Sequence, residues 1–160
     1  MANPPDICIR GAGIVGRTLA LLLARERLNV ALVEAPTTAT TDVRAYSLNG
    51  AAMALLQDLR CWPDSPAVTP VHQMQVWGDH GGQLNFGASE QGVGELNWMV
   101  DVPVLEARLA EAVRFQPQIE VVQAPVAAPL TVVCEGRASQ TRAELGVGFD
   151  VTHYEQHAVA

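Results

Sequence analysis

The residues Gly11-Ala12-Gly13-Ile14-Val15-Gly16 form the pattern G-x-G-x-x-G. Each glycine at this spacing has a physical task. The first makes a tight turn, the second lets backbone approach an anion, and the third lets a helix pack closely on a strand. A helix opening there would present unpaired N–H groups and the positive end of its dipole to a diphosphate. Glu34 follows roughly 20 residues on, where a carboxylate can accept hydrogen bonds from ribose hydroxyls. The chemistry implied is the holding of the ADP half of a dinucleotide. Glycine-rich turns also arise for structural reasons alone, so the surrounding elements must decide.

Those elements fit. Ile7-Cys8-Ile9 reads as a buried parallel strand. Ile14 to Arg27 carries Ile14, Val15, Leu19, Leu22 and Leu23 at helical spacing. Val30-Ala31-Leu32-Val33 is a second strand ending at Glu34, so strand, helix and strand fit within about 30 residues, as a βαβ unit requires. Ala35 and Pro36 follow Glu34 and leave no cation next in sequence for a 2′-phosphate. That favours FAD or NAD over NADP, and the βαβ unit alone leaves those two open, since both present the same ADP half.

Further along, 36–41 is a polar loop, and 47–59 has the spacing of a helix, with Ser47 as its cap. A loop is expected over 63–70 and a β-hairpin over 74–86, with Gly78-Asp79-His80 at its tip as turn chemistry. After a polar loop at 87–95, Trp98–Val100 is a short strand and Val104–Phe115 a helix with Pro103 in its first turn. Ile119–Val122 and Leu130–Cys134 are strand candidates, and 147–160 reads as one more strand. The expected fold is α/β, a Rossmann-type βαβ unit with a parallel sheet plus a small antiparallel hairpin.

Composition removes several classes. The chain has 160 residues, enough for one core, and a net charge of −7 with ten scattered arginines, a poor match for nucleic acid. It contains no lysine, which excludes a lysine Schiff base and a P-loop lysine. Cys8, Cys61 and Cys134 are odd in number and widely spaced, as suits a reduced cytoplasmic protein with buried or inert thiols. Neither a signal peptide nor a membrane-spanning stretch is expected.

Two segments carry a resemblance. Asp42-Val-Arg44-Ala-Tyr-Ser47 and the residues running on to Trp62 resemble the stretch after the second strand in flavoprotein hydroxylases of the ubiquinone-biosynthesis and p-hydroxybenzoate hydroxylase group. Leu130-Thr-Val-Val-Cys-Glu135-Gly136, followed by Ser139 and Arg142, is similar to that family's strand ending in Asp-Gly, with Glu135 in place of Asp. Val102 stands where the family tends to place a polar side chain, and the family's later Gly-Asp-Ala motif is absent.

The resemblance implies an FAD-dependent monooxygenase that takes electrons from NAD(P)H and uses dioxygen to hydroxylate a small aromatic substrate. This chain corresponds to its N-terminal part, so 1–160 is expected to be an incomplete FAD-binding domain. Residues 70–100 would be a β-rich insertion of the substrate-domain type. The cofactor-binding set it implies is Gly11, Ala12, Gly13, Ile14, Val15, Gly16, Glu34, Ala35, Arg44, Val126 and Glu135, with Arg44 on the diphosphate as a planar cationic fork. No catalytic residue is assigned. The rival reading is a non-catalytic nucleotide-binding module or scaffold, and an NAD-dependent dehydrogenase would leave Arg44 and Glu135-Gly136 unexplained.

Other side chains get structural readings. His153 and His157 lack a third metal ligand, so no metal is expected. Ser47 and Ser139 lack the surroundings of a nucleophile, and Trp77 and Trp98 suit a core. Lost downstream strands would leave apolar sheet surface exposed, so self-association is expected of this chain by itself.

Overall fold

A computed structural model describes residues 4–35 and 44–156. The first half runs β1 (Ile7–Arg10), α1 (Ile14–Arg25), β2 (Val30–Val33), β3 (Ala45–Leu48), α2 (Gly50–Asp58), β4 (Val68–Val71) and β5 (Gln73–Trp77). The second half runs β6 (Gln83–Gly87), β7 (Asn97–Asp101), α3 (Val102–Arg114), β8 (Ile119–Val122), β9 (Leu130–Val133) and α4 (Gln140–Glu144).

The apolar runs of β1 and β2 are buried, as central parallel strands must be. They lie in a parallel sheet of order β8-β2-β1-β9. The chain winds from β1 to β2 to β8 on one side and places β9 on the other, so the winding reverses between β1 and β9. Ligands of open α/β sheets bind outside the carboxyl ends of the strands at such a reversal. The G-x-G-x-x-G turn leaves β1 there.

Helices α1 and α3 cover the sheet. In α3, Val102, Leu105, Leu109 and Val113 recur three and four apart and are buried, which makes one apolar stripe. In α1, Gly16, Ala20, Leu21 and Ala24 are buried, and the small Gly16, Ala20 and Ala24 let the helix lie close. These stripes meet Ile7, Ile9, Val30 and Leu32 in one core, which Leu56, Cys61 and Val100 extend towards the second sheet. Full burial of a leucine contributes about 2 kcal/mol, so Leu105 and Leu109 anchor α3 firmly.

The second sheet is antiparallel, of order β3-β7-β4, and β5 and β6 pair as a separate hairpin. Four expectations are corrected here. Residues 47 and 48 of the expected 47–59 helix belong to β3, and α2 starts at Gly50. Ser47 is therefore a strand residue, and Asn49 caps α2 by accepting from the Ala52 N–H at 2.9 Å. The expected 63–70 loop contains the start of β4, whose Pro70 is tolerated because β4 is an edge strand. Residues 147–156 form no strand, and 157–160, with His157, lie outside the described residues. The Pro36–Thr41 loop lies outside them too.

Candidate dinucleotide site

The three glycines of the turn meet three different surroundings. Gly11 has φ +111°, a region side chains rarely enter, and a Cβ there would stand 2.5 Å from the Cys134 carbonyl oxygen. A Cβ on Gly16 would stand 1.8 Å from the Gly11 carbonyl oxygen. A Cβ on Gly13 would meet nothing within 4 Å. Turn and packing thus account for Gly11 and Gly16, while Gly13 faces open space. Gly13 is also the N-cap of α1 and supplies no side chain to the first N–H groups, which have no intrahelical partner. Around it Ala12 and Ile14 are half-buried, and Val15 is 68% exposed.

Glu34 and Ala35 leave the carboxyl end of β2 beside this turn. The Glu34 N–H donates to the Val122 carbonyl at 2.9 Å, and Gly11 N–H donates to Val33 O at 3.1 Å, which locks β2, β8 and the turn together. The Glu34 carboxylate accepts from Arg17 Nη2 at 2.5 Å through Oε1. Sequence adjacency showed no cation for Glu34; α1 supplies one from its first turn.

Glu135 stands at the carboxyl end of β9, next to the Cys134 carbonyl that abuts Gly11. Its Oε2 accepts from Ser139 Oγ at 2.7 Å and from the Thr141 N–H at 2.9 Å. Its Oε1 accepts from Thr141 Oγ1 at 2.6 Å and faces Arg10 Nε at 3.2 Å, an ion-pair distance at an angle that makes no hydrogen bond. Burial works against the charge most strongly, but the Thr141 and Ser139 hydrogen bonds and the Arg10 cation together outweigh it. They hold the carboxyl down at about 2. A carboxylate has about four acceptor sites, and three of them here take hydrogen bonds from the chain's own groups. A cavity of about 330 Å³ opens beside it, between Val133, Ser139, Arg142 and Leu145.

The other expected site residues lie on other elements. Arg44 opens β3 on the antiparallel sheet, where its carbonyl accepts from the Val102 N–H at 3.1 Å and its Nη1 donates to Tyr46 Oη at 3.3 Å. Val102 is fully buried as the first residue of α3, a packing role that explains its apolar side chain. Val126 lies in the 123–129 connection between β8 and β9 and is exposed. Trp98 packs edge-on against Trp62 with ring centroids 6.1 Å apart, as a core residue would, whereas Trp77 is largely exposed and is not core. A cavity of about 560 Å³ lies at the far end of α1, by Arg25 and Asp58, one helix length of about 18 Å from the glycine turn. It has no part in this site.

Arg17, Arg10 and Thr141 escaped the sequence reading. Arg10 reaches Glu135 through the pairing of β1 with β9, Arg17 reaches Glu34 from helix α1, and Thr141 reaches Glu135 by the turn of 135–141 into α4. Ser139 had a usable signal, as a serine opening a short helix whose Arg142 N–H donates to it at 3.1 Å.

With this geometry in place, comparison with known proteins decides the family. The FAD binding domain family matches residues 5–121. The chain belongs to that FAD binding domain family. It is 27% identical to the 3-demethoxyubiquinol 3-hydroxylase of Escherichia coli (strain K12), over 184 residues that cover 96% of this chain and 47% of that protein. A probable FAD-dependent monooxygenase from Pseudomonas aeruginosa has the same fold, with a TM-score of 0.72 at 19% identity over 94% of this chain and 48% of that one. The p-nitrophenol 4-monooxygenase of Pseudomonas putida DLL-E4 gives 0.71 at 17% identity, over 94% and 45%. The chain spans about half the length of these relatives.

FAD is the cofactor of the family, and the residues present fit its ADP half. The open Gly13 backbone and helix start suit the diphosphate, and Glu34 suits the ribose. Among the described residues no helix is long and apolar enough to cross a membrane.

Proposed function

We propose that this FAD binding domain is the cofactor-holding part of a flavin-dependent monooxygenase that hydroxylates a small aromatic compound, of the kind used in ubiquinone biosynthesis. The observation that carries this reading is the helix start at Gly13, open to an anion, beside an acceptor at the end of β2. Residues 11–16 would cradle the diphosphate, Glu34 and Ala35 would border the adenosine, and Arg44 and Val126 would approach from the adjoining connections. Glu135 would serve by fixing the end of β9 against the Gly11 turn, since three of its acceptor sites already hold the chain's own donors.

FAD, when bound, supplies the redox and oxygen chemistry, with NAD(P)H as electron donor. The chain's own residues bind, orient and exclude water at the adenosine end. Residues 70–100 belong in this reading to a β-rich layer facing the substrate. Met74, Val76, Leu84 and Phe86 share one exposed hairpin face and would drive self-association. A cytoplasmic setting suits the reduced cysteines.

A second reading is a nucleotide-binding module without catalysis. The test is an absorbance spectrum after incubation with FAD and desalting. Retained flavin bands that vanish in Gly13→Asp support the first reading. Loss of flavin with retention of ADP-ribose supports the second, and failure to hold either overturns both.

A further inference from the structure

Arg17 is placed where a cation is disfavoured. It lies in the first turn of α1, near the positive end of the helix dipole, and no acidic residue of that turn offsets it. Its side chain is nonetheless 15% exposed, drawn inward to Glu34, whose own side chain is 41% exposed. The partner is therefore across the βαβ unit, and the contact of 2.5 Å is a short charge-assisted hydrogen bond.

We propose that Arg17 is the positioning residue that lets Glu34 read the adenosine ribose. The inference rests on the reading of Glu34 as the ribose acceptor. A half-exposed glutamate at the end of a strand samples several rotamers, and ordering it costs free energy on binding. Arg17 holds Oε1 and so fixes the carboxylate plane before a nucleotide arrives. Among the described residues no hydrogen bond reaches Oε2, which is left as the acceptor for a ribose hydroxyl. The Arg17 charge also offsets the carboxylate charge that would otherwise repel a diphosphate at the same helix start.

The experiment is calorimetric titration of the full chain with ADP and with 2′-deoxy-ADP. The wild-type chain should prefer ADP by about tenfold, the worth of one hydrogen bond to a charged group. Glu34→Gln should bring that ratio close to one. Arg17→Met should do the same while the melting temperature stays near the wild-type value, and Arg17→Lys should restore part of the ratio. A wild-type ratio that survives in Arg17→Met overturns the proposal, as does an equal loss of affinity for both nucleotides, which would make Arg17 a plain counter-charge to the diphosphate. Equal affinity of the wild-type chain for both nucleotides, or no binding of either, would instead sink the reading of Glu34 itself.

Discussion

The chain has two glycine-rich turns, Gly11–Gly16 and Gly78–Gly82, and they use glycine for different reasons. Both contain a positive φ, +111° at Gly11 and +81° at Gly81. The first turn is roofed by the Cys134 carbonyl, and two of its glycines have no room for a Cβ. The second closes on itself through Gly78 N–H to Gly82 O at 2.7 Å, and Cβ atoms on Gly81 or Gly82 would meet nothing. One turn is held by distant parts of the chain and the other by its own backbone. Spacing in sequence separates them only partly, because the roof comes from β9.

Substitution at the two turns should break them apart most strongly. Gly16→Ala must move the Gly11 carbonyl and should cost about 4 kcal/mol or more in urea unfolding, or yield insoluble protein, whereas Gly82→Ala should cost under about 1 kcal/mol. A Gly16→Ala chain of near wild-type stability would show that the turn is not packed as described.

The elements next to each turn sharpen the contrast at a smaller scale. Leu109→Ala, in the fully buried stripe of α3, should lower unfolding free energy by about 3 kcal/mol. Leu84→Ala, 62% exposed on the hairpin, should change it by under about 0.5 kcal/mol. Equal costs would mean that the hairpin face is covered.

A loss smaller than those at Gly16 and Leu109 is expected on the roof. Glu135→Gln should cost about 2 kcal/mol at neutral pH by weakening hydrogen bonds to a charged acceptor. Its carboxyl titrates at about 2 in the folded chain against an ordinary 4.5, so the unfolded chain takes up the proton first as pH falls. The stabilisation is complete above about 4.5 and is lost as pH drops towards 2. Paired unfolding curves of wild type and Glu135→Gln should converge over that window; a constant gap would remove Glu135 charge as the cause.

What could be read from sequence follows the range of the interactions. The βαβ unit was legible because apolar periodicity and the three glycines are local signals. Ser47 and Leu48 read as helix because Leu48, Ala52 and Leu55 are helically spaced, yet pairing with β7 makes these two residues a strand. Val147, Phe149 and Val151 alternate as a strand would, but no sheet edge pairs with them among the described residues and all three are exposed. The acceptors Glu34 and Glu135 were legible from their motifs. Their partners Arg17 and Arg10 were not, since those contacts cross from one strand or helix to another, and Thr141 reaches Glu135 only through the turn that 135–141 makes.

The pairing of β9 with β1 sets an order of events. Ile7 and Leu130 are neighbours in the sheet though on the order of 120 residues apart in sequence, a contact of the slow, non-local kind. A ribosome delivers Gly11 well before Cys134, so the emerging chain carries a nucleotide turn without its roof until β9 follows. Ligand present at that stage would meet an unfinished cradle, and capture of the diphosphate would await, and then reward, the pairing of β9 with β1.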